Sequence, residues 1–526
     1  MHCPTLIFCL LFASNLLLCR GQQVREAIPC EWGQLSALTL EKSPLIQRQR
    51  LRLQRTAAEL QGAAATFDYR MVADMSYVRD GQYLFQQDAR FEVTDGRIRA
   101  NSLHSSAGVR RTFRSGLSSG LTLDYSRMAN NYPFNAFGES VSPYLADNFT
   151  TLGMWFRQPL LRGKGRKFAT AGEQFYQKML ASDRWELNDV AARELYNMSL
   201  AYWEYLSSFR RLSIYKENEM RVRKVLEMTQ ELLNADRKTK NDLIQIQADL
   251  ADKERQTLAA EQYLYQARLN LGRSMGLNEA ESADIGLPLN PFPSLSEAHY
   301  DSGIELENLM ELARNNRTDL RALLKVKEAL QINFELAQNQ MKPQLDLLAS
   351  LSYGGTDVGN QFSRVLSPLS RLPGRNVQMS IGLNFQIPFK NYAARASLLN
   401  RQLAVADQQV AIDNQIRSIS LNLSIALNAL HTSVQRLQKA RQTLQYYEEV
   451  FADEQVKFQN GLTTLLNLIL FQERLTFSQL DYLQAQQDFA AAIVQLRMET
   501  GTLLPVEEGG TFSAHPEVFY QLPDWK

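Results

Sequence analysis

The sequence predicts a mainly α-helical chain with a β-barrel portion, in which a unit of strands followed by a long helical hairpin occurs twice. Three observations carry this. Residues 390–458 contain neither proline nor glycine, and Ile412, Ile416, Ile419, Leu423, Leu430, Val434, Leu437 and Leu444 form a heptad seam along them. Two segments alternate with a period of two: Leu345, Leu347, Ala349, Leu351, Tyr353, and Met379, Ile381, Leu383, Phe385, Ile387, Phe389. Finally, the two halves of the chain superpose by residue spacing. A helix over 390–458 would be about 100 Å long at 1.5 Å per residue. It cannot cover its own seam and needs partner helices along its whole length.

In chain order, residues 1–21 read as a signal peptide whose apolar core is Leu6–Leu18. Cys19 stands beside the cleavage site, where a lipid anchor is the alternative. Ser43–Ala64 reads as a helix with Ser43 as N-cap and Pro44 at its first position. Strands follow over 67–158, opening with the alternation Phe67, Tyr69, Met71, Ala73, Met75, Tyr77, with further pieces around Leu121, Leu123 and Tyr125. A long helix is expected over 160–234, with the seam Leu195, Met198, Tyr202, Tyr205, Phe209, Leu212. After a break near Asp236–Thr239 the hairpin returns over 240–275. Residues 277–303 read as a linker, 304–341 as helix, 344–388 as strands, and 390–500 as the second hairpin, broken near Asn460–Thr464. The tail 504–526 has no periodicity.

The repeats are placed at 40–276 and 304–503. Subtracting 225 from Gly461, Thr464, Asn467, Leu468, Gln472, Leu475 and Gly501 gives Asp236, Thr239, Asp242, Leu243, Gln247, Leu250 and Gly276. All but the first pair are identical or kindred. Two strands per half cannot close a barrel, and open sheet edges are not tolerated in lipid. Several chains must therefore share one barrel.

Composition narrows the function. The net charge is +1 and 45% of residues are hydrophobic, so no bulk field points to nucleic acid. All four cysteines lie in the first 30 residues, which leaves no disulfide framework. The five histidines are scattered without metal-ligand spacing, no catalytic constellation is present, and no metal or cofactor is expected. The aromatic seam Tyr202, Tyr205, Phe209 reads as packing. Gly163-Lys164-Gly165-Arg166-Lys167 lacks phosphate-loop spacing and reads as a strand–helix corner.

The chain resembles the TolC-type outer-membrane efflux proteins over about residues 40–503. The resemblance rests on the corners Gln158-Pro159-Leu160-Leu161-Arg162-Gly163 and Gln386-Ile387-Pro388-Phe389. It rests also on Ala313-Arg314-Asn315-Asn316-Arg317-Thr318-Asp319-Leu320, and on the tip Phe458-Gln459-Asn460-Gly461-Leu462-Thr463-Thr464-Leu465-Leu466-Asn467-Leu468. It implies a homotrimer with a periplasmic α-barrel tunnel and a shared twelve-strand β-barrel in outer-membrane lipid, four strands from each chain. It further implies a passive exit duct of a tripartite efflux or type I secretion system, joined to a periplasmic adaptor and an inner-membrane transporter. The implied adaptor contacts are Asp236, Thr239, Gly461, Leu462, Thr463 and Thr464, and the implied tunnel-mouth constriction is Asp242 with Asn467. Asn467 departs from the aspartate common in the family, which implies a less anionic mouth. The strand region 67–158 is longer than 344–388, so an extra hairpin or surface loop is expected there. The competing reading is a periplasmic coiled-coil scaffold without a conduit, which would have no use for the strands.

Overall fold

The computed structural model describes residues 28–83, 96–134, 140–234, 239–300, 303–370, 376–504 and 515–524. The expected signal peptide, Cys19 and Asp236 lie outside them. Contacts divide the chain into two units. The first takes the chain up to Ile46, Ala191–Leu309 and Ser424 onward; the second takes Gln47–Val190 and Met310–Leu423. Each unit thus draws on both halves of the sequence.

The second unit holds a six-stranded sheet of β2 (Arg70–Tyr83), β3 (Arg97–Thr112), β4 (Ser118–Asn130), β5 (Asp147–Pro159), β7 (Gln344–Val358) and β8 (Val377–Gln386). Neighbours pair antiparallel in that order, as a meander. Because strand side chains alternate, register decides what each face carries. One row runs Met71, Val109, Leu121, Met154, Leu351, Met379 across all six strands. The next runs Ala73, Ala107, Leu123, Leu152, Tyr353, Val377. On the opposite face one row is Val72, Gly108, Thr122, Gly153, Ser352, Gln378. The sheet has one apolar and one largely polar face. Every residue of the edge strands β2 and β8 is exposed.

Six strands replace the four that the resemblance implies. The added pair lies within 67–158, where an extra hairpin is expected. Its alternation is harder to read because Asn101, Ser105 and Arg111 occupy apolar-face positions in β3.

Still in the second unit, α2 (Pro44–Ala64) leads into the sheet. Ser43 stands immediately before it in the N-cap position, with Pro44 as the first helical residue. Ser43 also ends the preceding helix α1 (Trp32–Lys42), and within the first unit its hydroxyl donates to Glu194 Oε2 at 2.6 Å. The break falls there because Pro44 has no N–H to continue the helix. The expected helix over 160–234 starts later, after a corner in which Gly163 (φ 78°) and Gly165 (φ 90°) are left-handed. The corner is pinned by Gly163 N–H donating to Asn339 Oδ1 at 2.7 Å. Then come α3 (Arg166–Ala169) and the 64-residue α4 (Ala171–Asn234). The expected helix over 304–341 is two helices, α7 (Leu306–Asn316) and α8 (Thr318–Gln340), with Arg317 extended between them (φ −64°, ψ 114°). A short α9 (Ser367–Ser370) lies between β7 and β8.

The first unit shows that 277–303 is more than a linker. It contains α6 (Glu279–Ala283), held by a capping box of Asn278 and Glu281, and β6 (Ile285–Pro288), which pairs parallel with β1 (Ile28–Cys30). The tail also returns to the core. Phe519 stacks on Trp32 at 4.2 Å between centroids, and Trp32 packs on Tyr202 at 4.3 Å and Trp203 at 4.9 Å. Tyr202 and Tyr205 are fully buried, and their hydroxyls donate to Asn290 O at 3.1 Å and Gly286 O at 3.0 Å. The aromatic seam is packing. The predicted heptad seam lies in α10 (Tyr392–Gln459), where Ile412, Ile419, Leu423, Leu430, Val434 and Leu437 are buried and Ile416 and Leu444 half-buried.

Candidate functional site: the hairpin tips

The first unit brings both hairpin tips into one cluster. Val222 and Val225 of α4, Ile246 of α5 (Lys240–Ser274), Phe451 and Phe458 of α10, and Leu465, Leu468 and Leu475 of α11 (Leu465–Thr500) are buried together. Polar ties join the hairpins a little further along. Gln472 of α11, 2% exposed, donates to Asn218 Oδ1 of α4 at 2.8 Å. Lys253 of α5, 4% exposed, reaches Asp249 at 3.0 Å and Glu473 of α11 at 3.1 Å. Burial holds the Asp249 carboxyl above its ordinary range against the pull of Lys253. Sequence spacing aligned Gln472 with Gln247 but gave no sign of its bond to Asn218, which joins positions 254 apart.

The second tip follows from local chemistry. Gly461 is left-handed (φ 70°), its N–H bonds Phe458 O at 3.0 Å, and Leu462 N–H bonds Lys457 O at 2.8 Å. That pair of bonds ends α10 as a Schellman motif, which needs a residue free to adopt positive φ. Thr464 caps α11, its hydroxyl accepting from Asn467 N–H at 3.2 Å. Asn467 also donates to Thr463 Oγ1 at 3.3 Å, and Thr463 donates to Glu454.

At the first tip, Thr239 and Asp242 form a reciprocal capping box: Asp242 N–H reaches Thr239 Oγ1 at 3.3 Å, and Asp242 Oδ2 accepts from Thr239 N–H at 2.9 Å. Thr239 and Thr464 are thus both N-caps, and Asp242 and Asn467 both stand three residues on. The two positions inferred from the constant offset are structurally equivalent. Leu462 in the turn is 76% exposed, and beyond the cap Leu466, Leu470 and Phe477 of α11 are 62%, 45% and 72% exposed. They give α11 an open apolar flank within this unit.

Elsewhere, Asn148 sits buried with its amide donating to Gly359 O at 2.8 Å and Asp357 O at 3.2 Å, a strut between β5 and β7. Among the described residues no group of three or more His, Cys, Asp or Glu could hold a metal. No described helix is long and apolar enough to cross a membrane.

A meandering sheet with one apolar face, joined to helices of 64 and 68 residues that turn back in capped hairpins, is the fold of a TolC-type outer-membrane channel protomer. Residues 309–502 match the outer membrane efflux protein family. The chain is 26% identical over 208 residues to a probable outer membrane lipoprotein, SilC, of Salmonella typhimurium; that match spans 39% of this chain and 42% of SilC. Among solved structures, the outer membrane protein VceC of Vibrio cholerae is similar with a TM-score of 0.63 at 15% identity, covering 89% of this chain and 96% of that one. CusC is similar at 0.64 and 12% identity, covering 90% and 93%, and the CmeC outer membrane channel of Campylobacter jejuni at 0.62 and 14%, covering 90% and 85%.

Proposed function

We propose that this chain is the outer-membrane exit duct of a tripartite efflux or type I secretion system. Three copies form a passive channel from the periplasm to the exterior, and the chain performs no bond chemistry. The carrying observation is the sheet register. Six strands share an apolar face while the opposite face stays largely polar, as a barrel wall between lipid and water requires. β2 and β8 run in opposite directions and leave both edges open, so β8 of one copy can pair antiparallel with β2 of the next. Three six-stranded sheets would give eighteen strands in place of twelve, and so a wider barrel, since diameter grows with strand number. We read 40–276 and 304–503 as a duplication. The tips, with Thr239, Gly461, Leu462, Thr463 and Thr464, are proposed to meet a periplasmic adaptor that joins an inner-membrane transporter. Asp242 and Asn467 are proposed to constrict the tunnel mouth. The channel reading is tested by fractionation and planar-bilayer recording of the purified protein. Stable conducting trimers from the outer membrane support it; a water-soluble particle without conductance supports the scaffold instead.

A further inference from the structure

We infer that the loop-side rim of the sheet binds lipid-borne phosphate through Arg79, Arg97, Arg99 and Arg127. The inference rests on the proposal that the apolar face meets lipid. These four residues occupy apolar-face positions of β2, β3 and β4. In register, Arg79 faces Asn101, Gly81 faces Arg99, Tyr83 faces Arg97, and Leu103 faces Arg127. They form a patch three strands wide at the outer end of the apolar rows.

The chemistry of this patch is one-sided. Arg97 lies over the Tyr83 ring at 4.0 Å, and Arg127 donates to Asn360 Oδ1 at 3.2 Å. None of the four has a carboxylate partner among the described residues. The strand carboxylates Asp74, Asp80, Asp124, Asp147 and Asp346 all stand on the opposite face by register. Asp357 is the exception on this face; it is 4% exposed and already held by Arg364 at 3.0 Å. Like charges crowded on neighbouring strands destabilise a sheet unless an external anion neutralises them.

The patch also sits at the right depth. From Tyr69, which lies under Arg111, to Arg79 the chain runs about 34 Å at roughly 3.4 Å per residue, a rise of about 26 Å along a barrel axis at a tilt of about 40°. An outer-membrane barrel carries an apolar band about 25 Å tall, edged by aromatic residues. Tyr77 (64% exposed) supplies that edge on β2, and Tyr83 lies beyond it under Arg97. Arg127 stands level with that edge, and Arg79, Arg99 and Arg97 follow in two-residue steps beyond it, where lipid phosphates lie; a guanidinium matches a phosphate with paired donors.

The test places purified full-length protein in nanodiscs of neutral phosphatidylcholine or of phosphatidylcholine with phosphatidylglycerol, and reads co-purifying lipid by native mass spectrometry. Wild type should retain phosphatidylglycerol about tenfold over the R79Q/R99Q double variant. The opposite-face variant R70Q/R110Q should match wild type, which separates local binding from net charge. Equal retention by wild type and R79Q/R99Q would overturn the site while leaving the membrane reading standing. Displacement of the lipid by millimolar inorganic phosphate would overturn the lipid assignment. A chain that enters neither nanodisc would overturn both site and reading.

Discussion

Arg317 and Asp319 clamp the break between α7 and α8: Nε reaches Oδ1 at 3.0 Å and a terminal nitrogen reaches Oδ2 at 2.6 Å. Both residues are under a tenth exposed, at 8% and 7%. Gln415 of α10 adds a bond to Asp319 Oδ2 at 2.7 Å, and Asp319 Oδ1 accepts from Leu320 N–H at 2.8 Å. Removing one member of a buried pair strands the other charge, which typically costs about 3–5 kcal/mol. Asp319→Ala should therefore lower the denaturant midpoint of this unit strongly, whereas exposed Glu59→Ala, whose partner Arg55 is itself exposed, should shift it by less than about 0.5 kcal/mol. Equal effects would show that the clamp contributes nothing special.

The second tip turns on backbone conformation. A Cβ added at Gly461 would meet nothing within 4 Å, so any cost comes from φ 70° alone. Gly461→Ala should cost about 1–2 kcal/mol of local stability, and Thr464→Ala about 1 kcal/mol through the lost cap. Hydrogen exchange at residues 457–468 should quicken in both variants. Unchanged exchange would mean that the tip does not depend on these caps.

The constriction proposed at the tunnel mouth uses the paired cap positions. Each chain offers Asp242 but Asn467 at the equivalent place, so the three-fold ring proposed above would carry three carboxylates. Single-channel recording should show weak block by divalent cations, and Asn467→Asp should lower the blocking concentration roughly tenfold by adding a second carboxylate per chain. Strong block of the wild type would contradict the assignment.

Cys30 is fully buried, and desolvation pushes its thiol up to about 12 against a smaller lowering by Arg268. An unfolded thiol titrates near 8.5. The folded pKa is the higher one. The associated stability is therefore present in full below pH of about 8.5, and is lost as pH rises toward the folded value. Iodoacetamide at pH 8.5 should leave Cys30 unmodified in the native protein and alkylate it in denaturant. Rapid native labelling would show that the β1–β6 region opens freely.

Periodic, local features were legible in the sequence. The seams of α4 and α10 and the alternation of β8 are each set by one residue's spacing from the next, as is the Thr-x-x-Asp or Asn pattern at the tips. Long-range relationships were hidden. The β3–β4 pair was obscured by polar and arginine residues at apolar-face positions, whose environment depends on neighbours far along the chain. The break at Arg317 had no glycine or proline to announce it, because a buried ion pair and not backbone restriction holds it. The segment 277–303 reads as a linker because its partners, β1 and Trp203, lie far away in sequence; Phe292 stacks on Trp203 at 5.4 Å.

The central claim is that open-edged sheets from several copies complete one another in lipid. Single-particle imaging of the purified protein in lipid nanodiscs tests it most directly. Three copies around one closed barrel, with six strands from each, is the predicted result. A monomer, or an assembly in which β2 and β8 remain unpaired, would contradict it.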